Sequence, residues 1–201
     1  MPNWESNNTI IIGTPENIRR FVAEAFVHPG QPFPRDPENV PNDKDFPLID
    51  FELIVPEPEN IEKGACSGEH AEGEVCWYTW HLENWGTKWG ATGHTHFELR
   101  WFEKYGESRE VYGRVDLVFE TAWSAPTPIF EAIEKRWNVT VHCVTQDEGG
   151  FPDVEYGDPY GEELIRRIVT MEFDSYERVV DEPSLNLDSV GAGYPEEAVS
   201  E

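Results

Sequence analysis

Residues 8–26, NTIIIGTPENIRRFVAEAF, decide how the chain is organised. Ile10, Ile11 and Ile12 make a short, nearly all-apolar run closed by Gly13, the pattern of a strand buried on both faces. Thr14-Pro15-Glu16 then opens a helix. Thr14 offers an N-cap hydroxyl, Pro15 brings a φ already set for the first helical position, and Glu16 meets the positive helix end. Ile18, Phe21, Val22, Ala25 and Phe26 recur at helical spacing as one apolar stripe. His28-Pro29-Gly30 stops the helix.

Working outward, Phe97, Leu99 and Trp101 alternate with Glu98 and Arg100, and Val115, Leu117, Phe119 and Thr121 alternate in turn. Both are the period-two pattern of half-buried strands. Thr127-Pro128 repeats the Thr-Pro opening, and Ile129, Phe130, Ile133 and Trp137 form a second helical stripe. Val139, Val141 and Cys143 mark a further strand, Gly149-Gly150 a turn, and residues 151–156 a return strand. The order strand, helix, strands, helix, strand predicts an α+β chain of ferredoxin-like plan, an antiparallel sheet with two helices on one face. On this reading residues 1–160 are the ferredoxin-like domain and residues 161–201 a C-terminal extension.

Six prolines between Pro29 and Pro47 predict an irregular surface loop over residues 29–50. Residues 51–56 read as a short extended piece, and residues 57–74 as Glu- and Gly-rich loop, so a loop insertion spans about 29–75. Residues 162–180 suit a helix by Leu164, Ile165 and Ile168 and a strand by Val169, Met171 and Phe173. Beyond Arg178 there is no Lys or Arg, and the end is an acidic tail.

The chain has 201 residues, enough to bury a core without disulfides or a metal. Its 40 acids against 15 bases give a net charge of −25, yet 13 % of residues are aromatic. Disordered acidic chains lack aromatics, so global disorder is excluded. The charge opposes direct binding of DNA or RNA, which needs Lys and Arg, and opposes an anionic membrane surface. The stretch MPNWESNNTIIIG has no basic segment and no long apolar run, so no signal peptide is expected. Three cysteines, an odd number, fit a reducing cytoplasm.

Four stretches resemble a known family: MPNW followed by Asn7, then Ile54-Val55-Pro56-Glu57-Pro58, then Glu83-Asn84-Trp85-Gly86-Thr87-Lys88-Trp89, and Phe119-Glu120-Thr121-Ala122-Trp123-Ser124-Ala125-Pro126. Together they resemble a phage and plasmid family with a YubB ferredoxin-like domain. The resemblance covers roughly residues 1–157. It implies the ferredoxin-like fold and a mobile-element origin, and it implies no activity. This chain departs from it in its long loops, its acidity and its C-terminal extension.

Within the third stretch, Asn84, Trp85, Gly86, Thr87, Lys88 and Trp89, with Trp123 beside them, are the candidate binding or structural motif. As a site, Trp supplies flat stacking area, Gly86 permits close approach, and Lys88 is a lone cation for a carboxylate or phosphate. As structure, Gly86 is a left-handed helix cap and the tryptophans pack into the core, which is the favoured reading. Cys66, His70, Cys76 and His81 are four soft ligands, but their spacing matches no common zinc pattern, so no metal is expected. His94 and His96 read as surface histidines.

No Ser-His-Asp signature, Gly-rich phosphate loop or HExxH occurs, so no catalytic residue and no cofactor are assigned and the protein is expected not to be an enzyme. A bare sheet with aromatics at Phe97 to Phe102 invites RNA, against the charge. The functional expectation is a cytoplasmic accessory protein of a phage or other mobile element. Its acidic surface would imitate nucleic acid and occupy a basic, nucleic-acid-binding surface on a host protein, such as a defence nuclease or CRISPR-type complex. The alternative is a structural or regulatory accessory protein whose acidity serves only solubility or salt adaptation.

Overall fold

The structure, a computed structural model, describes residues 3–34, 42–62, 64, 75–104, 110–157 and 177–180. The chain begins with β1 (Trp4–Gly13), α1 (Pro15–Ala25) and β2 (Phe26–Val27). Next come β3 (Leu48–Ile49), α2 (Phe51–Ile54), β4 (Ile61–Glu62), β5 (Val75–Cys76) and α3 (Trp77–Asn84). Then follow β6 (Thr92–Lys104), β7 (Glu110–Ala122), α4 (Thr127–Trp137), β8 (Thr140–Gln146), β9 (Pro152–Tyr156) and β10 (Glu177–Val180).

The main sheet runs β10-β6-β7-β1-β8-β9, with every neighbouring pair antiparallel. The apolar stripes read from sequence make its cover. Ile18, Phe21 and Ala25 of α1 and Ile129, Phe130, Ile133 and Trp137 of α4 are buried in one cluster with Ile11, Val115, Leu117, Phe119 and Val141 of the sheet. Phe21 and Trp137 meet edge to face at 5.3 Å, so α1 and α4 lie side by side on the same face. Each such side chain contributes about 1.5–3 kcal/mol on burial. Thr14 caps α1 as expected, its Oγ1 accepting from the Asn17 N–H at 3.3 Å.

Several expectations are corrected. β1 starts at Trp4, well before its isoleucine run, because Asn7 and Thr9 find partners inside the sheet. Asn7 is fully buried; its amide donates to Thr121 Oγ1 at 2.9 Å and its Oδ1 accepts from Thr145 Oγ1 at 3.2 Å. The α1 helix ends at Ala25 rather than at His28, since Phe26 and Val27 pair with Ile49 and Leu48. Residues 29–50 are therefore not only surface loop: Leu48 and Ile49 are buried. Residues 51–54 are a helical turn, not an extended piece, because the Asp50 carboxylate accepts from the Glu52 N–H at 2.9 Å and Phe51 and Ile54 both turn inward. At α4 the Thr-Pro pair lies inside the helix, and the cap position is Pro126.

On β6 the aromatics Phe97 and Trp101 face the helices, so they offer no stacking platform to RNA. The opposite face carries His96, Glu98 and Arg100, and Phe102 there stacks on Tyr112. Of residues 161–201 only 177–180 are described; they pair with Trp101–Lys104 and add an edge strand to the sheet. The other readings of that extension, including the acidic tail, lie outside the described residues.

Candidate functional site

The four stretches singled out in sequence meet at one end of the sheet. α3 ends with the Trp85 and Gly86 N–H groups both donating to His81 O, at 2.7 and 3.0 Å. Gly86 has φ +77, and a Cβ there would stand 2.6 Å from Pro128 Cδ, so both conformation and space demand glycine. That left-handed residue turns the chain back across the end of β7, where Lys88 N donates to Ala122 O at 3.4 Å. Asn84 stays with the helix, its amide donating to Trp80 O at 2.9 Å.

The turn separates the two tryptophans. Trp85 points inward and is 3 % exposed; its indole N–H donates to Val55 O at 2.9 Å, and its ring stacks on His81 at 3.9 Å. His81 is held in turn by Lys88 O at 2.8 Å and Glu57 Oε1 at 2.5 Å. Thr87 is fully buried and donates to Trp89 O at 2.6 Å. The expectation that Trp89 and Trp123 also belong to the core is corrected. They are 37 % and 42 % exposed.

Trp123 has φ +79, a costly conformation for a bulky side chain, of order 1–3 kcal/mol. Its N–H donates to Asn3 O at 2.9 Å, and its ring meets Tyr78 at 6.1 Å. Trp4 meets Trp89 at 5.9 Å. Between the two exposed indoles lies the Lys88 ammonium, 4.5 Å from the Trp89 ring and 4.6 Å from Trp123. The result is an aromatic patch of Trp4, Tyr78, Trp89 and Trp123 around one lysine.

Carboxylates border this patch. Glu148 Oε1 accepts from the Trp4 N–H at 3.0 Å. Glu5 is pushed above the usual carboxylate range by its burial, then by Asp153, Asp147 and Glu148. Its Oε2 has no hydrogen-bond partner among the described residues. Asp147 fixes the β8–β9 turn by accepting from the Gly149 and Phe151 N–H groups, each at 2.9 Å. Nothing in the sequence pattern flagged these acids over the other carboxylates, because their convergence is made by the pairing of β1 with β8.

Of the four-ligand metal set, Cys76 is disulfide-bonded and both His81 nitrogens are engaged; Cys66 and His70 lie outside the described residues. Among the described residues no group of three or more His, Cys, Asp or Glu side chains is placed to hold a metal ion. The disulfide at Cys76 also removes the support that an odd cysteine count lent to a reducing compartment. Cys143 is free and buried, and burial pushes its thiol up to about 11, which keeps it protonated and inert.

His94 is not a surface histidine. A register shift between Thr92 and His96 turns it inward, where its Nε2 lies 3.1 Å from Ile49 O. Burial holds it down at about 4. His96 is exposed. The open sheet face holds a cavity of about 300 Å³ lined by Asn8, Ile10, His96, Arg100, Asp116 and His142. Asp116 there already accepts from Arg100 at 3.2 Å and from Arg114 at 2.5 Å.

No helix among the described residues is long and apolar enough to cross a membrane. Comparison with protein-family models, with curated proteins and with solved structures finds no match for this chain.

Proposed function

We propose that this is a non-enzymatic accessory protein of a phage or other mobile element that works by binding a host protein. The observation that carries the reading is the juxtaposition of an exposed tryptophan patch with a carboxylate rim at one end of the sheet. Tryptophan and tyrosine at the centre with charge at the edge is the anatomy of a binding surface. The charge of the rim selects a partner rich in Lys and Arg. On the edge strand β9, Asp153 and Glu155 are both exposed two residues apart, about 7 Å along the strand, so the rim continues as a row of negative charge.

A basic surface shaped for nucleic acid is the partner this row fits, which makes a host defence nuclease or CRISPR-type complex the concrete target. The ferredoxin-like plan belongs to the same reading. The order β6-β7-β1-β8, with α1 and α4 on one face, supports it, as does the meeting in space of the stretches that resemble the YubB domain family.

The rival is an acidity that serves solubility alone, since charges on an edge strand also prevent edge-to-edge pairing. A binding titration of the host protein that co-purifies, with and without duplex DNA, separates the two. Mimicry expects competition by DNA and loss of affinity with rising salt. Solubility expects neither.

A further inference from the structure

In a chain of 40 acids, Lys88 has no anionic partner among the described residues. Among the described residues its ammonium meets two indole rings, and no carboxylate is within ion-pair distance. Two aromatic faces turned toward one ammonium are the arrangement by which proteins recognise quaternary ammonium and guanidinium groups. Here the cation belongs to the protein itself.

The surroundings are built to hold the rings rather than the lysine side chain. Trp123 is fixed outward by its positive φ and by the bond of its N–H to Asn3 O. Trp89 is fixed by Thr87, which donates to its carbonyl, and by the ring of Trp4. The Lys88 backbone is tied at both ends, its N–H to Ala122 O and its carbonyl to His81 Nδ1. Only the flexible four-carbon stem is free to swing away. Glu148, which accepts from the Trp4 N–H, puts a carboxylate beside the ring that packs on Trp89.

We propose that Trp89 and Trp123 form a cation cage that Lys88 occupies in the free protein, and that an arginine or lysine side chain of the protein partner displaces it. This rests on the reading of the sheet end as a partner surface and names what that surface takes. An arginine has the advantage, because guanidinium is less strongly hydrated than ammonium and stacks flat on indole. Lys88 then acts as a built-in competitor. It keeps two large apolar rings covered until a better cation arrives.

The test follows the indole N–H resonances of Trp89 and Trp123, assigned with single Trp→Phe variants, while tetramethylammonium chloride or acetyl-arginine amide is added at constant ionic strength. In Lys88→Ala and Lys88→Gln the cage is empty, and both probes shift these two resonances with affinity on the order of tenfold tighter than in the parent. Lys88→Arg fills the cage and binds the probes no better than the parent does. Equal binding by the parent, Lys88→Ala and Lys88→Gln, or shifts that miss both tryptophans, overturns the cage. An oligo-arginine peptide tells this failure from failure of the wider reading. If it still binds the parent with affinity that falls with salt and ignores Lys88, the acidic surface stands and the cage falls. If it binds no variant, both fall.

Discussion

Ser124 donates its hydroxyl to the carbonyl of Gly86 at 2.5 Å, across 38 residues of chain. The bond joins the end of β7 to the left-handed residue after α3, and it fixes how Trp123 stands beside Lys88 and Trp89. Thr121 supports the same corner by donating to Ser124 O at 2.8 Å.

Gly86→Ala is therefore expected to lower stability by about 1–3 kcal/mol, from a positive φ and a clash with Pro128. Ser124→Ala removes one bond and costs about 1 kcal/mol. Thermal denaturation checks both. A Gly86→Ala protein that melts with the parent contradicts the geometry.

The two tryptophans of the motif separate by mutation. Trp85→Ala empties a core site and costs about 3–5 kcal/mol. Trp89→Ala and Trp123→Ala remove half-exposed rings and cost less than about 2 kcal/mol, yet abolish partner binding. Melting curves and a binding titration on the same three variants decide it. Equal losses of stability at positions 85 and 89 would return Trp89 to the core.

These rings also show what was legible in the sequence. Period and capping revealed α1, the β6 and β7 alternation and the α4 stripe, because each is a local pattern facing one core. The polar start of β1 was hidden, since nothing local to Trp4–Asn7 marks a strand and the partners of Asn7 and Thr9, which are Thr121, Cys143 and Thr145, arrive from other strands. The α2 turn was hidden by its four-residue length and the prolines that follow it. Trp85 and Trp89 are the same residue type four positions apart. Which one faces water is set by the turn at Gly86 and the bond of Lys88 to Ala122, and neither is a sequence period.

Stability is expected to fall in mild acid through His94. Its folded value of about 4 lies below the ordinary 6.5, so the unfolded chain binds the extra proton. The contribution is fully present above pH 6.5 and is lost as pH falls from 6.5 toward 4, by about 3 kcal/mol. His94→Leu should flatten that slope. Glu5 has the opposite sign, since its raised value makes the ionised form unfavourable in the fold. Glu5→Gln should raise the melting temperature at neutral pH, with a gain that shrinks as pH drops into the carboxylate range. Melts of the three proteins across pH at fixed ionic strength check both signs.

Among the described residues Cys76 is disulfide-bonded and Cys143 is a free thiol, and a bridge within this three-cysteine chain would leave one thiol. Alkylation of the unfolded, unreduced protein should add one label, and alkylation after reduction should add three. Three labels without reduction would contradict the disulfide.

The central claim is that the tryptophan patch and its carboxylate rim receive a basic partner. The most direct measurement is the affinity of the captured host protein for the parent and for Glu148→Lys and Asp153→Lys, at low and high salt, with and without duplex DNA. The expected result is a loss of about tenfold or more on each charge reversal, a parent affinity that falls with salt, and competition by DNA. A partner that ignores salt, DNA and both reversals would contradict the account.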